Sequence, residues 1–160
     1  MDKQQYDSVN DTKEHIKEVQ WTLAVLRKAL LGRMESHDAS KLLSPEKEVF
    51  DEVTPRLKGL TYGSDEYKES LADMGKALEH HYGCNRHHPE HFGTLGIRGM
   101  TLVDVVEMFC DWCAATQRHA DGDIFESIEH NAGRFGYGED LKAIFINTAR
   151  EYKLGRRNEE

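Results

Sequence analysis

The stretch 15-HIKEVQWTLAVLRKALLGRM-34 decides the fold. Its apolar residues recur at steps of three and four: Ile16, Val19, Leu23, Leu26 and Leu30. This spacing puts them on one face of an α-helix, so we predict a first helix of about 25 residues.

Helix start and stop signals continue along the rest of the chain. We predict a second helix after Ser44-Pro45 and a third from Ser64 to about Tyr82, because a serine cap with proline or acidic residues in the first turn favours a helix start. Thr54-Pro55 through Tyr62-Gly63 predicts a loop between these two helices, and glycines with Pro89 predict another over 83–99. Further helices are predicted from Thr101 onward, near 123–133 and over 139–154. No segment alternates with period two, so the predicted fold class is all-α, a bundle of about six to seven helices in one domain over 1–154, with a flexible tail at 155–160.

Composition restricts the classes of partner. The net charge of -8 and the pI near 5.6 disfavour binding to duplex nucleic acid, whose protein partners are usually basic. We find no signal-peptide pattern and no apolar run of about 20 residues, so we predict a cytoplasmic protein that does not enter a membrane. The three cysteines, Cys84, Cys110 and Cys113, are an odd number, which fits reduced thiols better than a disulfide framework.

Histidine is the main compositional anomaly. Five of the nine histidines fall within the twelve positions 80–91. A second histidine feature is the sequence 36-SHDASKLL-43, in which Ser36 or Asp38 could simply cap a helix, or His37 and Asp38 could bind a metal. Adjacent residues project about 100° apart on a helix, so a metal site needs further ligands from elsewhere. His15, beside the apolar stripe, and Asp111, inside an apolar helix, can supply them.

These residues together resemble a known family. His15, the sequence HDASK, and Asp111 within EMFCDWCAATQR are similar to the H...HD...D signature of the HD-domain metal-dependent phosphohydrolases. The resemblance implies an HD-like helical bundle in which His15, His37, Asp38 and Asp111 bind a divalent metal. His80 and His81 resemble the HH pair with which some members of that family bind a second metal. The segments from TPRLKGLTYGSDEY to NAGRFG are also similar to an uncharacterised group of phage and bacterial proteins.

The sequence departs from this family at two places. Lys41 stands where some members with HDAS have an acidic residue, and no histidine lies between His37 and His80. Imidazole and carboxylate ligands suit one or two ions of Mn²⁺, Fe²⁺, Co²⁺, Ni²⁺, Zn²⁺ or Mg²⁺. We expect Asp38 and Lys41 to be the catalytic residues. Five side chains are expected to contact the substrate: Lys41, Arg86, His87, His88 and Arg118.

The predicted function is hydrolysis of a nucleotide or cyclic nucleotide phosphoester, with a small phosphorylated molecule as substrate and a homodimer allowed. Two alternatives are a non-catalytic protein that sequesters a nucleotide and an HD-fold di-iron oxygenase. Each residue also has a structural interpretation. Asp111 could share a solvated helix face with Asp104, Glu107 and Arg118, and the histidines of 80–91 could be hydrogen-bonded loop residues. Cys110 and Cys113 are predicted to pack in the core.

Overall fold

The protein is all-helical, as predicted. The structure, a computed structural model, describes residues 8–57, 60, 65–72, 74–118 and 122–155. Its seven α-helices are α1 Val9–Ser36, α2 Glu46–Leu57, α3 Asp65–Ala72, α4 Gly75–Cys84, α5 Leu102–Thr116, α6 Ile124–Phe135 and α7 Glu139–Glu151. Two 3₁₀ segments, Ala39–Leu42 and Pro89–Gly99, lie before α2 and before α5. None of the helices described is both long enough and apolar enough to cross a membrane.

By its internal contacts the chain divides into two compact units, Met1–Ser36 and His37–Glu160. Helix α1 is the described part of the first unit, and its 28 residues confirm the long first helix expected from the apolar periodicity. None of these 28 residues is buried. The predicted single domain over 1–154 stays a prediction.

The core of the second unit lies among α5, α6 and α7. Its buried residues are Met108, Phe109, Cys113, Ile124, Ile128, Phe145 and Ala149. Phe109 and Phe145 stack with centroids 5.0 Å apart, and Trp112 meets the edge of Phe145 at 5.5 Å. Aromatic burial of this kind dominates the hydrophobic stabilisation of a small domain. The core therefore holds α5, which carries the acidic side chains described below.

A buried ion pair fixes the start of α5. Thr101 and Asp104 form a capping box, in which the Thr101 side chain accepts from the Asp104 N–H and Asp104 accepts from the Thr101 N–H. Asp104 is fully buried and also accepts two hydrogen bonds from the Arg86 guanidinium, at 3.1 and 2.9 Å. Arg86 lies beside His87 and His88, so this pair ties the histidine segment to α5.

The start of the second helix is confirmed, but both predicted loops contain helical structure. Helix α2 starts at Glu46, directly after Ser44-Pro45, as predicted. It continues through Pro55 to Leu57, where a loop was predicted, and the missing N–H of Pro55 removes one helical hydrogen bond. The expected loop over 83–99 contains the end of α4 and the 3₁₀ segment, which bends at Gly93 and Gly96 where φ is 55° and 50°.

Two further differences concern the core and the tail. Cys113 is buried as expected, but Cys110 is exposed. Gly155, assigned to the tail, is buried with φ 77°, and a Cβ there would lie 2.6 Å from Ile124 Cβ. The ordered chain thus includes Gly155, and residues 156–160 of the predicted tail lie outside the described residues.

Candidate metal centre

The His37-Asp38 pair lies in a tight turn directly before the 3₁₀ turn Ala39–Leu42. Asp38 has φ 55°, in the left-handed region that aspartate and asparagine tolerate better than other non-glycine residues. The Lys41 N–H donates to the Asp38 carbonyl at 2.9 Å, and the Lys41 ammonium donates to Asp38 Oδ2 at 2.7 Å. The spacing in HDASK therefore brings an imidazole, a carboxylate and an ammonium side by side.

One group of ligand atoms confirms that three of the predicted metal residues meet. His37, Asp38 and Asp111 each offer one ligand atom, and these atoms lie within 4.8 Å of one another. His37 Nε2 is 3.7 Å from Asp38 Oδ2 and 3.8 Å from Asp111 Oδ1. All three side chains are partly exposed, so this group faces solvent.

A second group lies on the other side of the Asp38 carboxylate. Asp38, His81, His87 and His88 offer four ligand atoms within the same 4.8 Å limit. Asp38 Oδ1 is 3.4 Å from both His81 Nε2 and His87 Nε2, and His81 Nε2 is 2.9 Å from His88 Nε2. Asp38 thus directs Oδ1 at this group and Oδ2 at the first.

Three of the six separations within the second group match those of a coordination shell. For metal–ligand bonds of about 2.1 Å, neighbouring ligand atoms lie about 3.0 Å apart in an octahedron and about 3.4 Å apart in a tetrahedron. The observed separations are 2.9 Å and twice 3.4 Å. Imidazole nitrogens and a carboxylate oxygen are donors that suit Zn²⁺, Mn²⁺, Fe²⁺, Co²⁺ or Ni²⁺.

Unsatisfied polar atoms give an independent test of the fit. His87 is 1% exposed, yet neither of its ring nitrogens has a hydrogen-bond partner among the described residues. Asp38 Oδ1 is likewise buried without a partner in the described part of the chain. A buried polar atom without a partner costs about 1–3 kcal/mol. A cation between His87 and Asp38 would remove that cost at both residues, so the donor set fits a metal.

The surroundings of the site shift the pKa values of its histidines in opposite directions. The neighbouring Asp111 carboxylate raises the pKa of His37 to about 9 against the effect of burial, and Glu107 adds to the rise. Burial lowers the pKa of His88 to about 3, with His87 and His81 contributing. Burial and the Lys41 charge also lower the pKa of His81. His81 and His88 are therefore neutral imidazoles at neutral pH, the form that binds metals.

The carboxylates of the site are kept ionised. Burial alone would raise the pKa of Asp38, but His87 and Lys41 outweigh it and the net pKa lies far below the ordinary range. The pKa of Asp111 is also lowered, because its interaction with His37 offsets burial and repulsion from Asp38. Two ionised carboxylates at one location favour the binding of a cation.

Two buried glutamates contact the ring nitrogens that face away from Asp38. Glu107 Oε1 accepts from His37 Nδ1 at 3.0 Å and lies 3.2 Å from His87 Nδ1. Glu46 Oε2 lies 2.9 Å from His81 Nδ1, and Glu46 Oε1 lies 2.7 Å from His80 Nδ1. No role was predicted for Glu46, and Glu107 was considered only as part of an alternative solvated face of α5, whereas these residues are 0% and 8% exposed.

The structure separates the predicted HH pair. His81 joins the Asp38 group, whereas His80 lies in a third group with Glu46 and Cys84. His80 and His81 are adjacent on α4 and project in different directions. His87 and His88, which were predicted to contact substrate, are instead members of this second group of ligand atoms.

The remaining predicted site residues are His15, Arg86 and Arg118. His15 is exposed on α1 in the first unit, and its role as a ligand stays a prediction. Arg86 is engaged with buried Asp104. Arg118 is exposed just beyond the end of α5, and its phosphate contact stays a prediction.

Comparison with known proteins gives the family but no activity. Residues 4–152 match the model of DUF5662, described as a family of unknown function. No curated protein matches the chain, and neither does any solved structure.

Proposed function

Because the chain belongs to DUF5662, a family of unknown function, its activity has to be inferred from the site, and we propose that it is a divalent-metal-dependent phosphohydrolase. The proposed substrate is a phosphoester of a nucleotide or cyclic nucleotide. The observation that carries the proposal is the Asp38 carboxylate, which directs one oxygen at each of two groups of ligand atoms. The resemblance of the HDASK and Asp111 motifs to HD-domain phosphohydrolases supports the same assignment.

One of the two groups of ligand atoms is buried, and the other is partly exposed to solvent. His81 and His87 would hold an ion in the interior, since both are 1% exposed. The side chains of His37 and Asp111, 32% and 31% exposed, would hold an ion where a substrate can reach it. A bound divalent ion would supply an acidified water nucleophile and polarise a phosphoryl oxygen.

Lys41 is the residue that best explains a preference for phosphate. Its ammonium carries three N–H donors, one of which is used by Asp38 Oδ2. The ammonium also lies over the Phe50 ring, with Nζ 5.2 Å from the ring centroid, and this cation–π contact limits its mobility. The remaining donors can neutralise charge on a phosphoryl oxygen, a contribution that strengthens as charge develops in the transition state.

The test uses protein stripped with a chelator and then supplied with Mn²⁺, Co²⁺ or Zn²⁺. The assay measures phosphate release and nucleotide products from nucleoside mono- and triphosphates and cyclic nucleotides. Asp38→Asn is the decisive variant, because asparagine keeps the size and tolerates the left-handed backbone while it removes the charge. Asp51→Asn, on the exposed surface of α2, is the matched control.

We expect turnover by wild type and Asp51→Asn and loss of about 10² or more with Asp38→Asn. Equal activity of all three proteins would contradict the assigned site. Folded, metal-loaded protein that turns over none of these substrates would contradict the hydrolase assignment. Retention of a nucleotide without product would favour the sequestering alternative.

A second candidate is an HD-fold di-iron oxygenase. It is favoured by the same observation, that each oxygen of the Asp38 carboxylate faces a different group of ligand atoms. That chemistry needs a complete dinuclear ligand set, and the two groups together offer His37, Asp38, His81, His87, His88 and Asp111. Iron-loaded protein prepared in air would then show an EPR signal of a mixed-valent pair. Its absence at full iron occupancy would remove this candidate.

A further inference from the structure

The imidazoles around Asp38 need a fixed orientation if they are to serve as ligands. A histidine binds a metal through the ring nitrogen without a proton, and the other nitrogen must then carry its proton to a partner. His37 and His81 both direct Nε2 at Asp38, with separations of 3.7 and 3.4 Å. The groups that contact the Nδ1 atoms of these two histidines therefore decide whether Nε2 is free to bind the ion.

The hydrogen bonds around His81 determine its tautomer. The Asn85 amide nitrogen lies 3.0 Å from His81 Nδ1, but its two N–H groups donate to the Ser40 hydroxyl at 2.8 Å and to the His81 carbonyl at 2.9 Å. The Ser40 hydroxyl, 3.4 Å from Nδ1, donates to Glu46 Oε2 at 3.0 Å. Glu46 Oε2 is then the acceptor for His81 Nδ1, at 2.9 Å. Because a carboxylate only accepts, Nδ1 carries the proton and Nε2 keeps its lone pair.

Glu107 makes the equivalent contact to His37. Its Oε1 atom accepts from His37 Nδ1 at 3.0 Å, and the same atom lies 3.2 Å from His87 Nδ1. Glu107 is four residues before Asp111 on α5, so one helix face carries both a ligand and the group that orients a second ligand. Both glutamates are buried, which strengthens each contact.

We propose that Glu46 and Glu107 are positioning residues of the metal centre, Glu46 acting on His81 and Glu107 acting on His37. Each holds Nδ1–H so that Nε2 faces the ion, and each raises the basicity of that ligand. This inference rests on the proposed metal centre. In this arrangement the two glutamates contact the imidazoles and do not contact the ion.

The test measures Zn²⁺ binding by competition with a chromophoric chelator. We expect Glu46→Gln and Glu107→Gln each to weaken Zn²⁺ affinity by about 10- to 100-fold, the usual effect of removing an outer-shell partner. Glu129→Gln, exposed and paired with Lys142, is the control and should bind as wild type does. Circular dichroism of each variant checks that the helices are retained.

Ring-nitrogen NMR of the Zn²⁺ protein provides a readout that a purely structural role would not change. Long-range ¹H–¹⁵N spectra of wild type should show His37 and His81 protonated at Nδ1 and metal-bound at Nε2. Glu46→Gln should shift the Nδ1 signal of His81, and Glu107→Gln that of His37. This wild-type measurement applies even if a variant fails to fold.

The outcomes separate the two proposals. Wild-type binding with unchanged affinity and unchanged ring signals in both variants would overturn the positioning roles and leave the centre intact. Metal bound through Nδ1 in wild type would also overturn them. No Zn²⁺ binding by folded wild type would overturn both proposals.

Discussion

Replacement of Asp104 by asparagine should destabilise the protein in a pH-dependent way. Asp104 is 0% exposed and accepts hydrogen bonds from Arg86 and Thr101, with donor–acceptor distances of 2.8 to 3.1 Å. Burial alone would raise its pKa, but these bonds outweigh burial and lower the pKa to about 2 from an ordinary 3.8. The folded state therefore favours the ionised carboxylate, which asparagine cannot provide.

The magnitude follows from this shift. The difference of about 1.8 pKa units corresponds to about 2–3 kcal/mol of unfolding free energy at neutral pH, at about 1.4 kcal/mol per unit. Since the folded pKa is depressed, the contribution is fully present above about pH 4 and is lost as the pH falls through about 2. At pH 3 about half of it should remain.

The assay is urea unfolding followed by circular dichroism at several pH values between 3 and 7. The unfolding free energy of Asp104→Asn should fall below that of wild type by about 2–3 kcal/mol at pH 7, and the gap should narrow toward pH 3. Asp51→Asn, a change on the exposed surface of α2, should show no such pH-dependent gap. A gap that is absent at pH 7, or that widens on acidification, would refute the reasoning.

The remaining predictions concern the core and the phosphate contact. Ile128→Ala should lower the unfolding free energy by about 2–5 kcal/mol in urea titrations, because Ile128 is 0% exposed in the core. Tyr137→Phe should cost about 1 kcal/mol by the same method, since the Tyr137 hydroxyl donates to the Ile128 carbonyl at 2.5 Å. Lys41→Met should reduce kcat/KM for the phosphoester substrate about 10²-fold with metal content unchanged, whereas exposed Lys47→Met should leave kcat/KM unaltered.

The fold could be predicted in its main features. The apolar periodicity of 15–34 was sufficient for α1, and the signal at Thr101 marks the start of α5. Helix periodicity and caps are local properties, which a sequence displays directly. Pro55 was misleading because a proline removes one helical hydrogen bond without always ending the helix, and the sequence does not show whether the rest of the helix tolerates that loss.

The site could be predicted only in part. The pair His37-Asp38 and the distant Asp111 were found because the family resemblance links them, and the structure brings all three together. Glu46 was missed, because nothing near it in the sequence relates it to a histidine 34 or 35 positions later. Glu107 carried a usable signal, since it lies one helical turn before Asp111 on the same face.

The histidine cluster shows what sequence order cannot provide. His80 and His81 are neighbours in the sequence, yet they belong to different groups because helix α4 turns about 100° between them. His87 and His88 reach the same group as His81 because the chain leaves α4 in an irregular turn, with His88 extended before Pro89. Tertiary packing decides whether the chain after α4 folds back beside His81 in this way, and the sequence does not display it.

Anomalous diffraction from crystals grown with Mn²⁺ or Zn²⁺ tests the central claim most directly. We predict a peak within about 2.1 Å of Asp38 Oδ1 and the Nε2 atoms of His81, His87 and His88, with a second ion beside Oδ2 at His37 and Asp111. A metal-soaked crystal with His87 and Asp38 ordered and no anomalous peak between them would contradict the account.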